Sequence, residues 1–308
     1  MREPAPWVRP LVRRLNRIAR ERPRLGLRLA AIAGHTLGPR LGDAWTPTLG
    51  ELEALFGELD PRTAKRLRRA MASHELRNRA LMALLRRLGP EPMHRLMRVR
   101  GAEGLLGLRE AKVPVVVCFW HLGVIRAVEQ ALVRLGLPLY LAGARVPLGP
   151  NPGFRYEVVT DAVSGLRFLK GALKELEQGG VPVVAVDGSA GAQSRRAPFF
   201  GRSLPVPPGL AILARSSGAR VVPATSRWVG LSAGIEVTLH EPLPEPASSR
   251  TARLEWEQEL LDGATAWYER HVRAHPEDMR PVTLRMCLSQ GVPLSTASPA
   301  APDAETLR

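Results

Sequence analysis

His121 is the residue of this sequence best placed for proton transfer, because it directly follows the apolar run VPVVVCFW at 113–120. That run is rich in β-branched residues and predicts a buried strand, so the imidazole should lie at the rim of a sheet. Leu122 and Gly123 are expected to open a helix, and Gly123 lets a backbone or substrate approach closely. An imidazole with a pKa near 6.5 can accept a proton from a hydroxyl group. His121 is therefore a candidate for catalysis, although a lone histidine is more often structural and the chain has seven histidines.

Asp187 ends a second apolar run, VPVVAVD at 181–187, and is a candidate carboxylate for the same site. In largely parallel sheets the carboxyl ends of the strands meet at one edge, where ligands collect. The serine two residues after Asp187 does not form a hydrolase nucleophile elbow, because the G-x-S-x-G motif requires glycine where Asp187 stands. A turn cap or helix cap is the structural alternative for Asp187.

The elements that would position these residues alternate between strands and helices. This order predicts an α/β fold with a mostly parallel central sheet flanked by helices. Predicted strands cover 113–120, 137–144, 181–187 and 219–227, and predicted helices cover 122–136, 164–178, 208–217 and 250–274.

The N-terminal third of the chain is strongly basic. Residues 1–100 contain 22 Lys and Arg against 9 Asp and Glu, or +13 of the total charge of +15. Residues 7–20 have apolar residues at helical spacing with five arginines between them, a pattern suited either to an anionic membrane surface or to packing on the protein. We therefore predict a basic, membrane-associating helical region at 1–98, an α/β domain at 99–285 and a disordered tail at 286–308.

Composition excludes several other classes of protein. Cys118 and Cys287 are isolated, so the sequence predicts neither a disulfide framework nor a metal site. No apolar stretch is long enough to span a bilayer, and no signal peptide is expected. The basic region has few aromatic residues and no nucleic-acid-binding motif, so nucleic acid is not an expected partner.

Four further segments stand in a fixed order between roughly residues 50 and 280: VRGAEGL with HLGVI at 99–125, VPVVAVDG at 181–188, PFFGRSLPVPPGLAILARSSGARVVPA at 198–224, and ERHVRAHPEDM at 269–279. Together they resemble the lipid A biosynthesis acyltransferases, the lauroyl and myristoyl acyltransferases of the lysophospholipid acyltransferase superfamily. The resemblance implies a glycerolipid acyltransferase-like fold. It also implies that His121 is the general base, and that an acid five residues later orients its ring.

That position is Arg126, which departs from the family pattern. A guanidinium cannot accept the imidazole N–H, and its positive charge is expected to lower the pKa of His121. Three explanations are open. In the first, Asp187 supplies the carboxylate from a neighbouring strand. Glu129, two turns along the helix from His121, is less able to reach the ring. In the second, Arg126 binds a phosphate or carrier group while His121 acts unassisted; in the third, the protein has lost the reaction.

The resemblance also implies residues that bind substrate. Phe199 and Phe200 would line a slot for the acyl chain beside Gly201, and Arg202 would meet an anionic headgroup. Arg145 and Asn151 would hold phosphates of the acceptor, with Arg155 a weaker candidate. Core packing and solvated surface loops are the structural alternatives for these residues.

The function implied by the resemblance is transfer of a fatty acyl group from acyl carrier protein or coenzyme A to a hydroxyl group of a lipid A-type or other phospholipid or glycolipid acceptor. Neither a metal nor an organic cofactor is required. The expected location is the cytoplasmic face of the inner membrane, where the basic surface would meet anionic lipid and the acidic carrier protein. The alternative is a catalytically degenerate relative that binds membrane lipid.

Overall fold

The fold comes from a computed structural model of the 308-residue chain, which describes residues 6–43, 45–143, 154–187, 194–231 and 233–294. The helices of this part of the chain are α1 (Val8–Glu21), α2 (Pro23–Leu37), α3 (Leu49–Phe56), α4 (Pro61–Leu88), α5 (Glu91–His94), α6 (Ala102–Glu110), α7 (Ala127–Arg134), α8 (Ala162–Glu177), α9 (Gly209–Ser217), α10 (Arg253–Ala274) and α11 (Pro281–Gln290). Its strands are β1 (Met97–Arg100), β2 (Val115–Phe119), β3 (Leu139–Gly143), β4 (Phe154–Val158), β5 (Val181–Ala185), β6 (Arg195–Phe199), β7 (Arg202–Val206), β8 (Arg220–Trp228), β9 (Ile235–Leu239) and β10 (Val292–Pro293).

A seven-stranded central sheet has the order β1-β9-β8-β2-β5-β3-β4. Its neighbouring strands are parallel except for β8 and β9, which are antiparallel. The predicted α/β class with a mostly parallel sheet is therefore confirmed, and the four predicted strands correspond to β2, β3, β5 and β8.

The central strands have apolar residues on both faces, because helices cover the sheet on each side. Val116 and Cys118 of β2 belong to one core, with α8, α9 and α10, whereas Val115 and Val117 belong to the other, with α1, α2, α4 and α7. This alternation follows from the two-residue period of a strand. Packing on both faces holds β2 between two layers of helices and thereby fixes the position of His121.

The basic N-terminal helices pack on this second core. Val8, Leu15 and Ala19 of α1 are buried together with Leu27 of α2 and with residues of α4. Packing on the protein therefore accounts for much of the apolar side of α1, while Trp7 stays 41% exposed. The buried side chains of α1 share their core with the sheet, and the division of the chain at residue 98 remains a prediction.

The C-terminal segment is more ordered than predicted. Residues 286–290 continue α11, and β10 adds to a small antiparallel sheet of order β10-β7-β6. Leu284 and Cys287 of α11 are buried, so apolar contacts extend this helix beyond the predicted boundary at residue 286. The prediction of a disordered tail is thus wrong for residues 286–294, and the rest of that tail lies outside the described residues.

Gly34 should be essential to the contact between α2 and α4. A Cβ atom at this position would lie 2.4 Å from Ser73 Cα, a backbone atom that cannot rotate away. We expect Gly34→Ala to lower the free energy of unfolding by about 1–3 kcal/mol in chemical denaturation, as overpacking typically does.

The matched control is Gly107→Ala in α6, where an added Cβ meets no atom within 4 Å. Alanine favours helix over glycine by roughly 1 kcal/mol, so this variant should unfold at the same or a higher denaturant concentration. Equal stability of the two variants would contradict the proposed close approach of α2 and α4.

Candidate active site

His121 and Asp187 meet because β2 and β5 are neighbours in register. Phe119 of β2 is paired with Ala185 of β5, and each of the two polar residues follows two positions later. Parallel strands end at the same edge of the sheet, so both side chains emerge side by side at the carboxyl ends of their strands.

The Asp187 carboxylate contacts His121 through both its ring and its backbone. His121 Nδ1 lies 2.9 Å from Asp187 Oδ1, and the His121 backbone N–H donates to the two carboxylate oxygens at 3.0 and 3.1 Å. The Asp187 side chain is 1% exposed, whereas that of His121 is 55% exposed. In the neutral ring Nδ1 therefore carries the proton, and Nε2 is the nitrogen available to accept one.

The negative charge of Asp187 raises the pKa of His121 above its usual value of 6.5, because it stabilises the imidazolium form. Glu129 adds to this effect, while desolvation and the Arg280 guanidinium oppose it. The pKa of His121 is therefore raised overall, in spite of the lowering that a positive charge at position 126 was expected to cause. The ring is in contact with an acid and open to solvent, as a general base requires.

Arg126 is directed toward an acid of its own helix. Its Nη1 lies 3.4 Å from Glu129 Oε1, and Glu129 is buried at the start of α7. Of the open explanations for the missing acid at position 126, the geometry corresponds to the one in which Asp187 reaches across from the neighbouring strand.

The segment after His121 is a loop, whereas the sequence predicted a helix from residue 122. Gly123 has a φ of +56° and Arg126 a φ of +64°, and this left-handed backbone delays the helix until Ala127. A Cβ on Gly123 would lie 1.6 Å from the Ser226 carbonyl oxygen. The glycine is needed because the loop presses against β8 at this point.

Residues distant in the sequence hold this loop by hydrogen bonds. The buried Asn78 of α4 donates to the Gly123 carbonyl at 2.8 Å and accepts from the Ile125 backbone N–H at 3.4 Å. Ser226 Oγ donates to the Val124 carbonyl at 3.0 Å and accepts from its N–H at 3.1 Å.

Two C-terminal residues complete the anchoring of the loop. The Gly123 N–H donates to the Asp278 carbonyl at 2.8 Å, and Thr283 Oγ1 donates to the His121 carbonyl at 2.8 Å. Sequence spacing could not reveal these anchors. Only the resemblance of the segment ERHVRAHPEDM pointed to the part of the chain that contains Asp278.

Phe199 and Phe200 are buried in the core, which corresponds to the structural alternative, and their role in lining an acyl-chain slot stays a prediction. Phe199 is fully buried and stacks on Trp120 with ring centroids 4.3 Å apart. Phe200 is also buried and contacts Phe56 edge-to-face at 5.3 Å. Burial of this much aromatic surface stabilises the β6–β7 hairpin against the sheet. Phe199 therefore packs against the residue that directly precedes His121.

Arg202 is hydrogen-bonded within the protein, and its contact with an anionic headgroup stays a prediction. Its Nη2 donates to the Leu288 and Gly291 carbonyls at 3.3 and 3.0 Å, which ties β7 to α11. Gly201 has a φ of +66° and forms the hairpin turn between β6 and β7. Arg155 forms an ion pair with Glu175 of α8. Arg145 and Asn151 lie outside the described residues.

The described residues contain neither a metal-binding cluster nor a membrane-spanning helix. No cluster of three or more His, Cys, Asp or Glu among them could hold a metal ion. Within the same part of the chain, no helix combines the length and apolar character needed to cross a membrane.

One family model matches part of the chain. Residues 154–278 match the family model for bacterial lipid A biosynthesis acyltransferases. The match covers less than half of the chain, confirms the resemblance seen in the sequence and supports an acyltransferase. The matched segment contains Asp187 and begins after His121.

One solved structure similar to the chain is the 1-acyl-sn-glycerophosphate (LPA) acyltransferase PlsC from Thermotoga maritima. The two are 14% identical, with a TM-score of 0.35, and the alignment covers 81% of this chain and 98% of that one. No curated protein sequence matches the chain.

Asp187→Asn should lower the pKa of His121, because the change removes the negative charge that stabilises the imidazolium ion. The measurement is an NMR titration of the His121 ring protons. Asp262→Asn, a change of the same kind on α10, should leave the titration of His121 unaltered. An unchanged midpoint in Asp187→Asn would show that the carboxylate does not govern this ring.

Asn78→Ala should destabilise the protein by about 1–3 kcal/mol, because it leaves the Gly123 carbonyl and the Ile125 N–H without their partner. Urea denaturation measures this loss, and Asn16→Ala on the N-terminal helix serves as the control. If both variants unfold at the same urea concentration, Asn78 does not hold the loop.

Proposed function

We propose that this protein transfers a fatty acyl group from an acyl thioester, carried by acyl carrier protein or coenzyme A, to a hydroxyl group of a lipid A-type or other phospholipid or glycolipid acceptor. The observation that carries the proposal is the 2.9 Å contact between His121 Nδ1 and Asp187 Oδ1, with the ring more than half exposed. The family match over residues 154–278 supports the reaction class.

In the proposed reaction, Nε2 of neutral His121 takes the proton of the acceptor hydroxyl as its oxygen attacks the thioester carbonyl carbon. Asp187 keeps the proton on Nδ1 and stabilises the imidazolium ion as it forms. The tetrahedral intermediate then collapses with cleavage of the C–S bond, and His121 returns the proton to the leaving thiolate. The products are an ester and the free thiol of the carrier.

Asp187 would act on the rate by orienting and stabilising His121. In comparable triads, loss of the orienting carboxylate costs up to about 10⁴ in rate. The raised pKa of His121 makes the ring a stronger base, although a larger fraction of it is protonated at neutral pH. The reaction requires neither a metal nor an organic cofactor.

The partners we propose are anionic. The net charge of +13 over residues 1–100 would attract an acidic carrier protein and an anionic bilayer at the cytoplasmic face of the inner membrane. Trp7, which precedes α1, and Leu25 and Ile32 of α2 are exposed apolar side chains that would enter the headgroup region.

Arg126, Arg145 and Asn151 are proposed contacts for phosphate groups of the acceptor or carrier. The side chain of Arg126 is 29% exposed, and its ion pair with Glu129 is long, at 3.4 Å. The guanidinium therefore keeps N–H donors for an anion. The alternative, a degenerate lipid-binding relative, drew its support from the missing acid at position 126. The carboxylate of Asp187 at the ring removes that support.

The test is transfer from labelled acyl carrier protein or acyl coenzyme A to total membrane lipid, with acylated products identified by mass spectrometry. Wild-type protein should acylate at least one lipid, His121→Ala should lose nearly all turnover, and Asp187→Asn should lose a factor of about 10²–10⁴.

The matched controls are His94→Ala and Asp262→Asn, which change the same residue types away from the ring. Both should retain wild-type turnover. If His121→Ala acylates lipid as fast as wild type while remaining folded, the proposed base is wrong. If wild type acylates no lipid from either carrier, the proposed activity is wrong.

A further inference from the structure

A cavity of about 720 Å³ lies at the end of β8, between α2, α3, α4 and the C-terminal end of α10. Its volume is within the range of about 300–1,000 Å³ typical of small-molecule sites. Neither His121 nor Asp187 is among its lining residues. The cavity is therefore a separate feature from the candidate catalytic pair.

Positive charge dominates the polar part of this cavity. Arg66, Arg77, Arg227 and Arg273 line it, together with a single lining acid, Glu277, and Arg273 is also paired with Glu269 of its own helix. No acid pairs with Arg66 among the described residues, and Arg227 lies 3.9 Å from Glu277, the limit of an ion pair. These two guanidinium groups keep donors for an anion.

Two further lining residues show how the charge is distributed. Burial lowers the pKa of Arg77 to about 9, so this arginine is still protonated at neutral pH. Burial lowers the pKa of His74 to about 4, so the histidine is neutral there and adds no charge. The excess of cationic groups over acids is therefore present at neutral pH.

Most of the remaining wall of the cavity is apolar, although His35, Thr63 and Ser73 also line it. The apolar side chains come from α4, from the end of α3 and the chain after it, and from the end of β8 and its turn: Phe56, Leu59, Leu67, Ala70, Trp228 and Leu231. A wall of this kind favours a hydrocarbon chain, because burial of apolar surface is favourable at about 25 cal/mol per Å².

Exposed apolar side chains flank the cavity. Leu231 lines it and is 51% exposed, and Ile32, which is 48% exposed, lies one turn before the lining residue His35 on α2. Exposed apolar groups beside a cationic pocket are suited to transfer of a lipid from a membrane surface.

From this combination of charge and apolar surface, we propose that the cavity binds one anionic amphiphile, with its acidic headgroup on Arg66 and Arg227 and its hydrocarbon chain along Phe56, Leu67 and Trp228. A phosphate alone does not account for the apolar wall, and an uncharged chain does not account for the arginines. This site goes beyond the proposed acyl transfer, because it contains neither His121 nor Asp187.

The test is isothermal titration of the full chain with dodecyl phosphate below its critical micelle concentration. One molecule should bind per chain. Inorganic phosphate, which lacks the chain, and dodecyl maltoside, which lacks the charge, should each bind at least about tenfold more weakly. Equal affinity for either of these probes would overturn the proposal.

The variants test the two halves of the site. Arg66→Gln combined with Arg227→Gln should weaken dodecyl phosphate at least about tenfold. The charge-matched control is Arg95→Gln combined with Arg98→Gln, two exposed arginines outside the cavity, which should bind as wild type does. Ala70→Trp should abolish binding by filling the cavity, once its melting curve shows that it is folded.

His121→Ala separates this proposal from the proposed enzyme activity. It should bind dodecyl phosphate with the wild-type dissociation constant even though acyl transfer is lost. Loss of binding in His121→Ala, or unchanged binding in the double arginine variant, would overturn the assignment of the cavity.

Discussion

The contact between Asp187 and His121 depends on the parallel pairing of β2 with β5. Most of the site is arranged around this contact. A carboxylate as buried as that of Asp187 is costly unless hydrogen bonds offset the loss of water. The ring and the backbone N–H of His121 supply those bonds. The same interaction therefore stabilises a buried charge, fixes the ring orientation and makes the imidazole more basic.

This contact would not orient His121 if the following loop were free to move. The loop has two left-handed residues and no regular hydrogen bonding of its own, so it depends on α4, β8 and the segment before α11. Each of those elements is fixed in one of the two cores. The precision of the site is thus a consequence of packing on both faces of the sheet.

Several charged groups lie close together inside the protein, between α4 and the end of α10. Arg77 is an almost fully buried cation, which lies over the Trp228 ring and is influenced by the charge of Asp278. Asp278 in turn presents its backbone carbonyl to Gly123 of the loop that follows His121. The polar groups between α4 and the end of α10 therefore connect the wall of the cationic cavity with the loop that carries His121.

The sequence by itself determined the class of fold, because alternating strands and helices, apolar runs and their Gly and Pro boundaries are local features. It also determined that His121 and Asp187 each follow a strand, since that depends only on where the apolar runs end. The partner of the His121 ring was left open, because Asp187 is 66 residues away in the chain and strand order brings the two together. Tertiary structure likewise decided that Phe199 stacks in the core, that Arg202 bonds to α11, and that Asn78 and Ser226 hold the loop from 45 and 102 residues away. Such contacts arise from the packing of whole elements, which no local spacing records.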